Sequence, residues 1–377
     1  MGGNGFLTVA PLGQLAVGRE TILPPAAADL PNCLIGDNFD QLPDPVLSQA
    51  RAQIYKARSV QTPSVDLVRY PEGARLFGGH HFLVECGGLL ADNQLPPNGV
   101  LLDADSIARL AAEPLDRVAV HDPCVLVARF GIRVWGHWVG ELLPRLLLAE
   151  RAFPGRFRYV LPAQVFNSSA PRNIWNSLWD TIRMAGIDKR RILPVFATQH
   201  YVFSELHAVT SVISSAGFHP AALVALRAAY LGPGERRADR KVAILRTEST
   251  GRNIANLIET IPLLRARDYE FVEIGTLPFQ EQVYLFSTAR IVVGVLASGL
   301  TGLFFSPDRV RVLSVGPEGY VNGFFYAIMQ SRDAAFVDVR GRATPQESKS
   351  SIFWDFHVDL ADFGRGLDCL EAGEGQA

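Results

Sequence analysis

The sequence contains very little cysteine. Cys33, Cys86, Cys124 and Cys369 are spread over 377 positions, and no two of them form a CxxC pair. This spacing excludes a scaffold held by disulfides and a zinc site built from neighbouring thiolates. We therefore expect a protein of a reducing compartment with no bound metal.

A strong net charge and long apolar runs are also missing. Lys and Arg number 36 against 38 for Asp and Glu, which gives a formal net charge of −2. No basic block interrupts this balance, so we expect no nucleic-acid partner. No run reaches the roughly 18 apolar residues that a membrane span requires, and the N-terminus lacks the basic and apolar regions of a signal peptide. We expect a cytoplasmic protein without a transmembrane segment, for which peripheral association with a membrane stays open.

The composition is that of a globular protein. Hydrophobic residues make up 48% of the chain and charged residues 20%, which is typical of a folded protein. A chain of 377 residues exceeds the size of one ordinary core. We therefore predict two domains.

The C-terminal half alternates short apolar runs with helix-like segments. The apolar runs lie at 241–246, 269–274, 290–295, 310–315 and 334–339. They lack the strict alternation of apolar and polar residues that is typical of a strand with one face in solvent. Strands of this kind, separated by helices, are typical of a parallel sheet that is covered on both faces. We therefore predict an α/β fold with a Rossmann-like domain in this half.

Three regions follow from these patterns. Residues 1–232 are predicted to form an N-terminal α/β domain, within which 1–75 is expected to be irregular because it is rich in Pro and Gly. Residues 233–345 are predicted to form the Rossmann-like domain. The tail at 346–377 is expected to supply a final helix that packs back on the N-terminal domain. Three apolar residues would lie on one side of that helix: Phe363, Leu367 and Leu370.

Two arginines follow the first of the C-terminal strands. Arg246 ends the run at 241–246, and Arg252 precedes a helix predicted at 253–266, which would carry Asn256 on the same face. Ligands of an open parallel sheet bind at the carboxyl ends of its strands. Arginine side chains and the free N–H groups of a helix N-terminus suit the diphosphate of a nucleotide. The alternative is a pair of surface arginines around an ordinary loop.

A glycine-rich stretch, GVLASGLTGLFF, follows the third of these strands. It places four candidate residues around the opening of a short helix: Gly294, Ser298, Gly299 and Thr301. The glycines would let the backbone approach a ligand closely, and the hydroxyl groups would offer hydrogen bonds. The stretch is neither a Walker A loop nor GxGxxG, and it lacks the lysine of a P-loop. It therefore indicates either a phosphate cradle or a turn that only packs.

Two more polar residues, Glu281 and Gln282, stand early in the helix predicted before that strand. Either side chain would suit the hydroxyl groups of a sugar or a ribose. The alternative is that an acidic residue in a first turn only stabilises the helix dipole.

The segment WGHWVGELLPRLLLAE carries a polar stripe on an apolar background. His137, Glu141 and Arg145 recur at every fourth position, so a helix would align them on one face. Pro144 would kink such a helix because it removes a backbone hydrogen bond. The stripe indicates the wall of a cleft; the alternative is a histidine that is satisfied inside a core.

Several pieces, taken in order, resemble the glycosyltransferases of family 61, which include bacterial capsular-polysaccharide enzymes and eukaryotic xylosyl- or N-acetylglucosaminyltransferases. The pieces are HWVGELLPRL at 137–146, LRTESTGRNIAN at 245–256, LPFQEQVYLFSTARIVVG at 277–294, GLTGLFF at 299–305 and the strand VRVLSV after it. The resemblance covers about 130–345, and its specificity lies in the ordered set.

The resemblance implies a GT-B architecture, in which two Rossmann-like domains face each other across a cleft. It implies an inverting transfer from a nucleotide sugar, usually without a bound metal, so that the nucleotide sugar is a co-substrate and no cofactor is expected. The donor would lie on the C-terminal domain, and a glycan or polysaccharide acceptor would lie on the N-terminal domain beside Trp138 and Arg145. Such a transfer needs a general base. His137 and Glu141 are the candidates, and His137 is preferred because an imidazole titrates near neutrality. A role in capsule or surface polysaccharide biosynthesis follows.

The glycine-rich stretch departs from the pattern of that family, which is close to GPHGAGLTNLLF. Leu296 stands in place of a histidine, Ala297 of a glycine, Ser298 of an alanine and Gly302 of an asparagine. In an active enzyme Leu296 would border the donor pocket as an apolar wall. The alternative is a catalytically silent relative that binds a nucleotide, a glycan or a partner enzyme. A nucleotide-sugar epimerase or dehydrogenase would require GxGxxG after an early strand, and the sequence has none.

Overall fold

A computed structural model of the chain describes most of its residues. The described ranges are 10–11, 16–30, 58–77, 84–86, 89–92, 109, 112–129, 131–166, 174–214, 217–234, 236–247, 251–320 and 322–372.

The chain divides into two compact units. The N-terminal unit contains Met1–Ala26, Pro63–Ser214 and Ala221–Ala229, and the C-terminal unit contains Ala27–Thr62, Ser215–Pro220 and Tyr230–Ala377. The longest continuous part of the C-terminal unit therefore begins at Tyr230, next to the predicted start of the Rossmann-like domain at 233.

The strands of the described ranges are numbered here in chain order. They are β1 (Ala10–Pro11), β2 (Gly18–Leu23), β3 (Ala26–Leu30), β4 (Arg58–Thr62), β5 (Val65–Arg69), β6 (Ala74–Phe77), β7 (Val84–Cys86), β8 (Leu89–Asp92), β9 (Asp116–Val120), β10 (Cys124–Leu126), β11 (Arg158–Pro162), β12 (Ile192–Val195), β13 (Gln199–Phe203), β14 (Leu206–Val209), β15 (Ile213–Ser214), β16 (Gly217–Phe218), β17 (Arg240–Ile244), β18 (Glu270–Val272), β19 (Ala289–Val295), β20 (Arg311–Pro317), β21 (Ala335–Thr344) and β22 (Asp355–His357).

Helices of three kinds connect these strands. The α-helices are Trp135–His137, Leu143–Ala152, Ile174–Met184, Pro220–Tyr230, Leu257–Arg265, Phe279–Thr288, Gly323–Gln330 and Leu360–Ala372. A π-helical turn spans Trp138–Leu142, and 3-10 helices span Ala163–Phe166, Lys189–Arg191, Ile274–Thr276, Ser298–Phe305 and Ser351–Phe353. None of the helices in the described ranges is both long enough and apolar enough to cross a bilayer.

The N-terminal unit contains two six-stranded sheets. One has the order β12-β11-β10-β14-β5-β2, in which β12, β11, β10 and β14 are parallel and β5 pairs antiparallel with both β14 and β2. The other has the order β1-β8-β7-β6-β13-β9. Both sheets take strands from residues 1–75, so the prediction that this region is irregular is wrong for its described strands. Their partners lie far along the chain, and local periodicity does not reveal such pairings.

The C-terminal unit carries the parallel sheet that the sequence predicts. Its order is β18-β17-β19-β20-β21-β22; the first five strands are parallel, and β22 is antiparallel to β21. The five parallel strands coincide with the five apolar runs. Almost every residue of β19 and β20 is buried, as a sheet covered on both faces requires. The α/β class is therefore confirmed.

The C-terminal helix, Leu360–Ala372, lies on the sheet of its own unit. Its apolar side enters the core through three residues: Phe363, Leu367 and Leu370. Neighbouring core residues include Leu313 of β20 and Val339 of β21. The predicted apolar side is confirmed, but the prediction that the tail packs on the N-terminal domain is wrong. β22 pairs antiparallel with β21 at the edge of this sheet, and the helix follows β22 directly in the chain. The helix therefore starts next to the sheet of the C-terminal unit.

We expect Leu367→Ala to lower the free energy of unfolding by about 2–5 kcal/mol, the usual cost of truncating a buried leucine. Leu367 is completely buried, whereas Leu360 on the same helix is 36% exposed. Leu360→Ala is therefore a matched control that should cost about 1 kcal/mol or less. Urea denaturation of the full chain measures both variants. Equal losses would contradict the packing described for this helix.

Candidate active site

The parallel strands of the N-terminal unit form a switch point where their chain order reverses. From β10 the chain proceeds to β11 and β12 on one side, whereas β14 lies on the other side of β10. Ligands of such sheets bind outside the carboxyl ends of the two strands at this point. The two strands end at Leu126 and Val209, and the residues that follow them include Arg129 and Ser211.

The helical segment after β10 carries the predicted polar stripe. It begins as an α-helix at Trp135–His137, widens into the π-helical turn Trp138–Leu142 and continues as an α-helix at Leu143–Ala152. Pro144 stands at the start of the last part, where a missing N–H group is tolerated. The widened turn therefore takes the place of the predicted kink. Such turns are frequent at functional sites.

His137, Glu141 and Arg129 form one hydrogen-bonded cluster. Nδ1 of His137 lies 2.6 Å from Oε1 of Glu141, and Nη1 of Arg129 donates to Oε2 of the same carboxylate. Glu141 is only 5% exposed, so its charge depends on these partners. The structure brings His137 and Glu141 into contact, as their helical spacing indicated, and adds Arg129 to them.

The carboxyl group of Glu141 is held in its ionised form. Burial by itself raises its pKa, but the hydrogen bond from His137 and the charge of Arg129 outweigh burial, and the pKa lies below its ordinary value. An ionised carboxylate only accepts hydrogen bonds, so Nδ1 of His137 must carry the hydrogen. In the neutral form of this tautomer, Nε2 is the acceptor nitrogen that a general base needs.

Gly131 leaves room beside this imidazole. Its φ is +79°, and a Cβ atom at this position would lie 3.2 Å from Cδ2 and 3.6 Å from Nε2 of His137. A side chain there would crowd the Nε2 edge. The side chain of His137 is 34% exposed, so a substrate hydroxyl can approach it.

Arg145 and Trp138, both predicted on the acceptor side, lie deeper in the unit. Burial lowers the pKa of Arg145 to about 10, against the opposite effect of Glu141, and its Nη2 donates to Oγ of Ser211 at 3.2 Å. Trp138 is completely buried, and its indole N–H donates to Oγ1 of Thr181 at 2.9 Å. Trp138 thus has no surface to offer an acceptor, contrary to the prediction. A large ring whose one polar atom is satisfied gains more from burial than from exposure.

The sheet of the C-terminal unit has its own switch point between β17 and β19. The first strand of this sheet, β17, lies between β18 and β19, so a ligand would bind outside the ends of β17 and β19. Arg246 follows the end of β17 at Ile244, and Ser298 follows the end of β19 at Val295. Both predicted residues therefore lie at one edge of one sheet. Arg246 donates through Nε and Nη2 to the carbonyl of Gly251, at 3.2 and 3.0 Å.

The first two glycines of the glycine-rich stretch, Gly294 within β19 and Gly299 after it, accommodate side chains of their own unit. A Cβ atom on Gly294 would lie 2.9 Å from Cδ2 of Leu300, and one on Gly299 would lie 3.2 Å from Cγ2 of Ile274. Neighbouring side chains therefore occupy the space at these two glycines, which favours the packing alternative there. Gly294 and Gly299 serve packing beneath the edge of the sheet.

Gly302 and Leu296, two departures from the family pattern, are packed in the same way. A Cβ atom on Gly302 would overlap ring carbons of Phe286, so an asparagine would not fit unless that ring moved. Leu296 is completely buried and packs beside Gly316. It is therefore not the pocket wall expected of an active enzyme. Thr301 is also buried, and its hydroxyl has no hydrogen-bond partner in the described part of the chain.

Arg252 and Asn256, both predicted to bind the donor, contact the backbone of their own unit. Nε of Arg252 donates to the carbonyl of Ile352, and its Nη1 donates to that of Leu296, both at 2.7 Å. Asn256 donates through Nδ2 to the carbonyl of Val358 at 2.9 Å and accepts from the N–H of that residue at 3.0 Å. Asn256 therefore joins two backbone segments.

The two residues predicted at the start of the helix Phe279–Thr288 differ in their surroundings. Glu281 is exposed in the first turn, so its carboxylate is accessible to a ligand hydroxyl. Gln282 donates through Nε2 to the carbonyl of Leu277 at 3.0 Å, a bond that ties the helix to the preceding turn.

Sequence reasoning missed Arg129 and Glu273. Arg129 lies three residues beyond the end of β10, and Glu273 directly follows β18, where its Oε1 accepts a hydrogen bond from the hydroxyl of Thr247 at 3.1 Å. Both residues follow a parallel strand, and this position is the signal that identifies them.

The two switch points differ in their chemistry. The one in the N-terminal unit combines an imidazole with an ionised carboxylate, which suits proton transfer. The one in the C-terminal unit combines arginine with the N-terminus of a 3-10 helix, which suits an anion. Within the described ranges, no group of three or more His, Cys, Asp or Glu side chains is placed to hold a metal ion.

We expect the cluster around Glu141 to stabilise the protein in a pH-dependent way. The pKa of Glu141 is lowered in the folded protein, so its contribution is complete above the pKa of an unfolded glutamate, about 4.3. That contribution is lost as the pH falls through the folded-state pKa. Glu141→Gln should therefore destabilise the protein most at pH 7 and progressively less toward pH 3.

Denaturant unfolding of both proteins across that pH range checks this expectation. Glu113→Gln, which alters an exposed carboxylate of the same unit, is the control and should change stability little at any pH. A loss at Glu141→Gln that is constant with pH would contradict the role assigned to its charge.

We expect Leu296→His to lower the melting temperature without strengthening the binding of nucleoside diphosphates. Leu296 is completely buried, and an unpaired polar group placed there costs about 1–3 kcal/mol. Ile258→His, at a position that is 81% exposed, is the control. Calorimetry and thermal unfolding measure the two quantities. Tighter binding at unchanged stability would show instead that Leu296 borders a working pocket.

Residues 135–313 match a family model described as Glycosyltransferase 61. The matched range contains the cluster of His137 and Glu141 and the strand ends that carry Arg246 and Ser298. The match confirms the resemblance stated from the sequence. A comparison with curated proteins finds no match.

Proposed function

We propose that this chain, whose residues 135–313 belong to glycosyltransferase family 61, transfers a sugar from a nucleotide-sugar donor to a glycan or polysaccharide acceptor, with inversion at the anomeric carbon. The observation that carries the proposal is the cluster of His137, Glu141 and Arg129 at the switch point of the N-terminal sheet. An inverting transfer needs one general base beside the acceptor hydroxyl, and this cluster has the composition of such a base.

In the proposed reaction, His137 takes the proton of the acceptor hydroxyl. The hydroxyl oxygen forms a bond to the anomeric carbon, the bond from that carbon to the diphosphate breaks, and the proton passes to Nε2 of His137. Glu141 accepts the hydrogen bond from Nδ1 and stabilises the imidazolium that results. Arg129 holds the carboxylate in place. This division of roles rests on the lowered pKa of Glu141, which makes the carboxylate itself a weak base.

The donor side of the proposal rests on charge. The departing nucleoside diphosphate gains negative charge, which Arg246 and the first N–H groups of the 3-10 helix Ser298–Phe305 would stabilise. The hydroxyl of Ser298 and the exposed carboxylate of Glu281 would bind hydroxyl groups of the donor. Because these groups supply the stabilising charge, the proposal includes no bound metal.

The proposal assigns the acceptor to the N-terminal unit and the donor to the C-terminal unit, in a GT-B arrangement. Each unit has a mainly parallel sheet with functional side chains after the strands at its switch point, which supports the assignment. The family relation further supports a role in the synthesis of a capsule or another surface polysaccharide, carried out in the cytoplasm.

A catalytically silent protein is the second candidate function. The observation that favours it is the packing of Leu296 and Gly302, since neither the imidazole nor the amide of the family pattern is replaced by another polar group at those positions. Such a protein would still bind a nucleotide or a glycan through Arg246.

Two substitutions separate binding from turnover. We expect His137→Ala to lower the rate of sugar transfer by about 10²–10⁴-fold, the usual contribution of a general base, at nearly unchanged nucleotide affinity.

We expect Arg246→Ala to weaken the binding of nucleoside diphosphate by about tenfold or more, the effect of losing a charge-assisted hydrogen bond. The measurements are calorimetry with uridine and guanosine diphosphates, and diphosphate release from a panel of their sugars with oligosaccharide acceptors.

Two exposed residues provide matched controls. His121→Ala and Arg237→Ala remove an exposed imidazole and an exposed guanidinium and should leave both quantities unchanged. If the wild type and His137→Ala both bind the nucleotide but neither transfers a sugar, the result would favour the catalytically silent protein. Full transfer activity in both His137→Ala and Glu141→Gln would place the base elsewhere.

A further inference from the structure

Arg252 carries a positive charge into the interior of the C-terminal unit. It is 7% exposed, and no acidic side chain of the described ranges forms an ion pair with it. Its guanidinium instead donates to two backbone carbonyls, those of Ile352 and Leu296, each at 2.7 Å. Burial of a charge is costly unless hydrogen bonds compensate for it. The two hydrogen bonds to carbonyls therefore compensate for burying the charge of Arg252.

Two aromatic rings complete the surroundings of Arg252. Its guanidinium carbon lies 4.0 Å from the centroid of the Tyr320 ring and 5.7 Å from that of Phe353. A guanidinium at this distance from a desolvated ring is attracted by the negative face of the ring. Arg252 also has a φ of +60°, which is uncommon for a residue with a side chain. The backbone is therefore held in an uncommon conformation at this residue, whose N–H donates to the carbonyl of Phe353 at 3.0 Å.

A buried arginine, Arg340, in turn holds the backbone of Tyr320. Nη1 of Arg340 donates to the carbonyl of Tyr320, and Nε of Arg340 donates to Oδ2 of Asp338 at 3.0 Å. Arg340 and Asp338 are buried, and the hydroxyl of Tyr326 donates to the same carboxylate oxygen. A buried network in which every member is bonded is rigid. Asp338, Arg340, Tyr320 and Arg252 thus form a continuous set of contacts that ends at the carbonyl of Leu296.

That carbonyl belongs to the peptide that opens the loop at the switch point. Leu296 follows β19 directly, and the 3-10 helix begins two residues later at Ser298. A peptide unit is planar, with its C=O and N–H pointing in opposite directions. A bond that fixes the Leu296 carbonyl therefore also fixes the N–H of Ala297, next to the first N–H groups of the helix, which have no partner within the helix.

We propose that Arg252 is a positioning residue, which orients the N–H groups at the start of the helix Ser298–Phe305 toward the donor diphosphate and does not touch the donor. The inference rests on the proposed function for the identity of that ligand. Its Nε and Nη1 already donate to carbonyls, two rings lie against the guanidinium, and the residue is only 7% exposed. Of the two arginines predicted to bind the donor, Arg246 then supplies the direct cationic contact.

The test compares Arg252→Lys, Tyr320→Leu and the double variant. A lysine keeps the charge but cannot bridge two carbonyls while it stacks on a ring. We expect each single variant to weaken the binding of uridine or guanosine diphosphate by about tenfold, the scale of one lost charge-assisted bond. The double variant should lose no more than the worse single one, because both act through one set of contacts. Affinity for the nucleoside without phosphates should not change.

Other outcomes would overturn the proposal. A direct contact predicts that Arg252→Lys retains most of the affinity and that Tyr320→Leu has no effect. A purely structural role predicts lower melting temperatures with unchanged affinity. Arg265→Lys is the control, since this exposed arginine also lies over a ring, that of Phe271, in the same unit. Should Tyr320→Leu fail to fold, Tyr320→Phe keeps the ring and should bind as the wild type does.

Hydrogen exchange of the ligand-free protein is a second test, and its result does not depend on the proposed function. The amides of Leu296 and Leu300, which donate to the carbonyls of Val315 and Ala297 at 2.8 and 2.9 Å, should exchange faster in Arg252→Lys than in the wild type, while those of β20 stay protected. Unchanged exchange of these two amides would show that Arg252 does not hold this loop. Failure of the wild type to bind any of the diphosphates would instead contradict the proposed function and remove the donor from the inference.

Discussion

Neighbouring parallel strands end at the same edge of a sheet, and this constraint determines where both candidate sites lie. In the N-terminal unit it brings the residues after β10 and β14 together, so that Arg129 and Ser211 approach the helix that follows β10. In the C-terminal unit it brings Arg246 and the stretch after β19 to one edge. Side chains distant in sequence become neighbours there because the chain order reverses at that point.

The two units stabilise buried charge in different ways. The carboxylate of Glu141 is surrounded by an imidazole and a guanidinium, which hold it ionised and thereby fix the tautomer of His137. Arg252 has carbonyl oxygens and aromatic faces around it instead. In the first arrangement, Nε2 of His137 is the proposed proton acceptor, on a side chain that is 34% exposed. The second holds a backbone segment in place and offers no proton acceptor. The difference in partners therefore explains the difference in the roles that we propose.

The glycines of the glycine-rich stretch make room for side chains of their own unit, although their spacing also suits a ligand. They lie against Leu300, Ile274 and Phe286, and Leu296 is buried beside Gly316. The residues that depart from the family pattern thus form a consistent apolar layer beneath the edge of the sheet. A ligand at this edge would meet the backbone N–H groups and Ser298. The apolar layer packs beneath these N–H groups and Ser298 and holds the backbone that carries them.

The sequence by itself determined the elements and the spacing along them. Continuous apolar runs predicted the five parallel strands of the C-terminal unit, and helical periodicity predicted the contact between His137 and Glu141 and the apolar side of the C-terminal helix. These features follow from local periodicity. Tertiary structure alone decided that Trp138 turns inward, that Arg252 bonds to carbonyls 44 and 100 positions away, and that the C-terminal helix lies on its own sheet. Each of these outcomes depends on which distant segment offers a hydrogen-bond partner or an apolar face, and residue spacing contains no record of that.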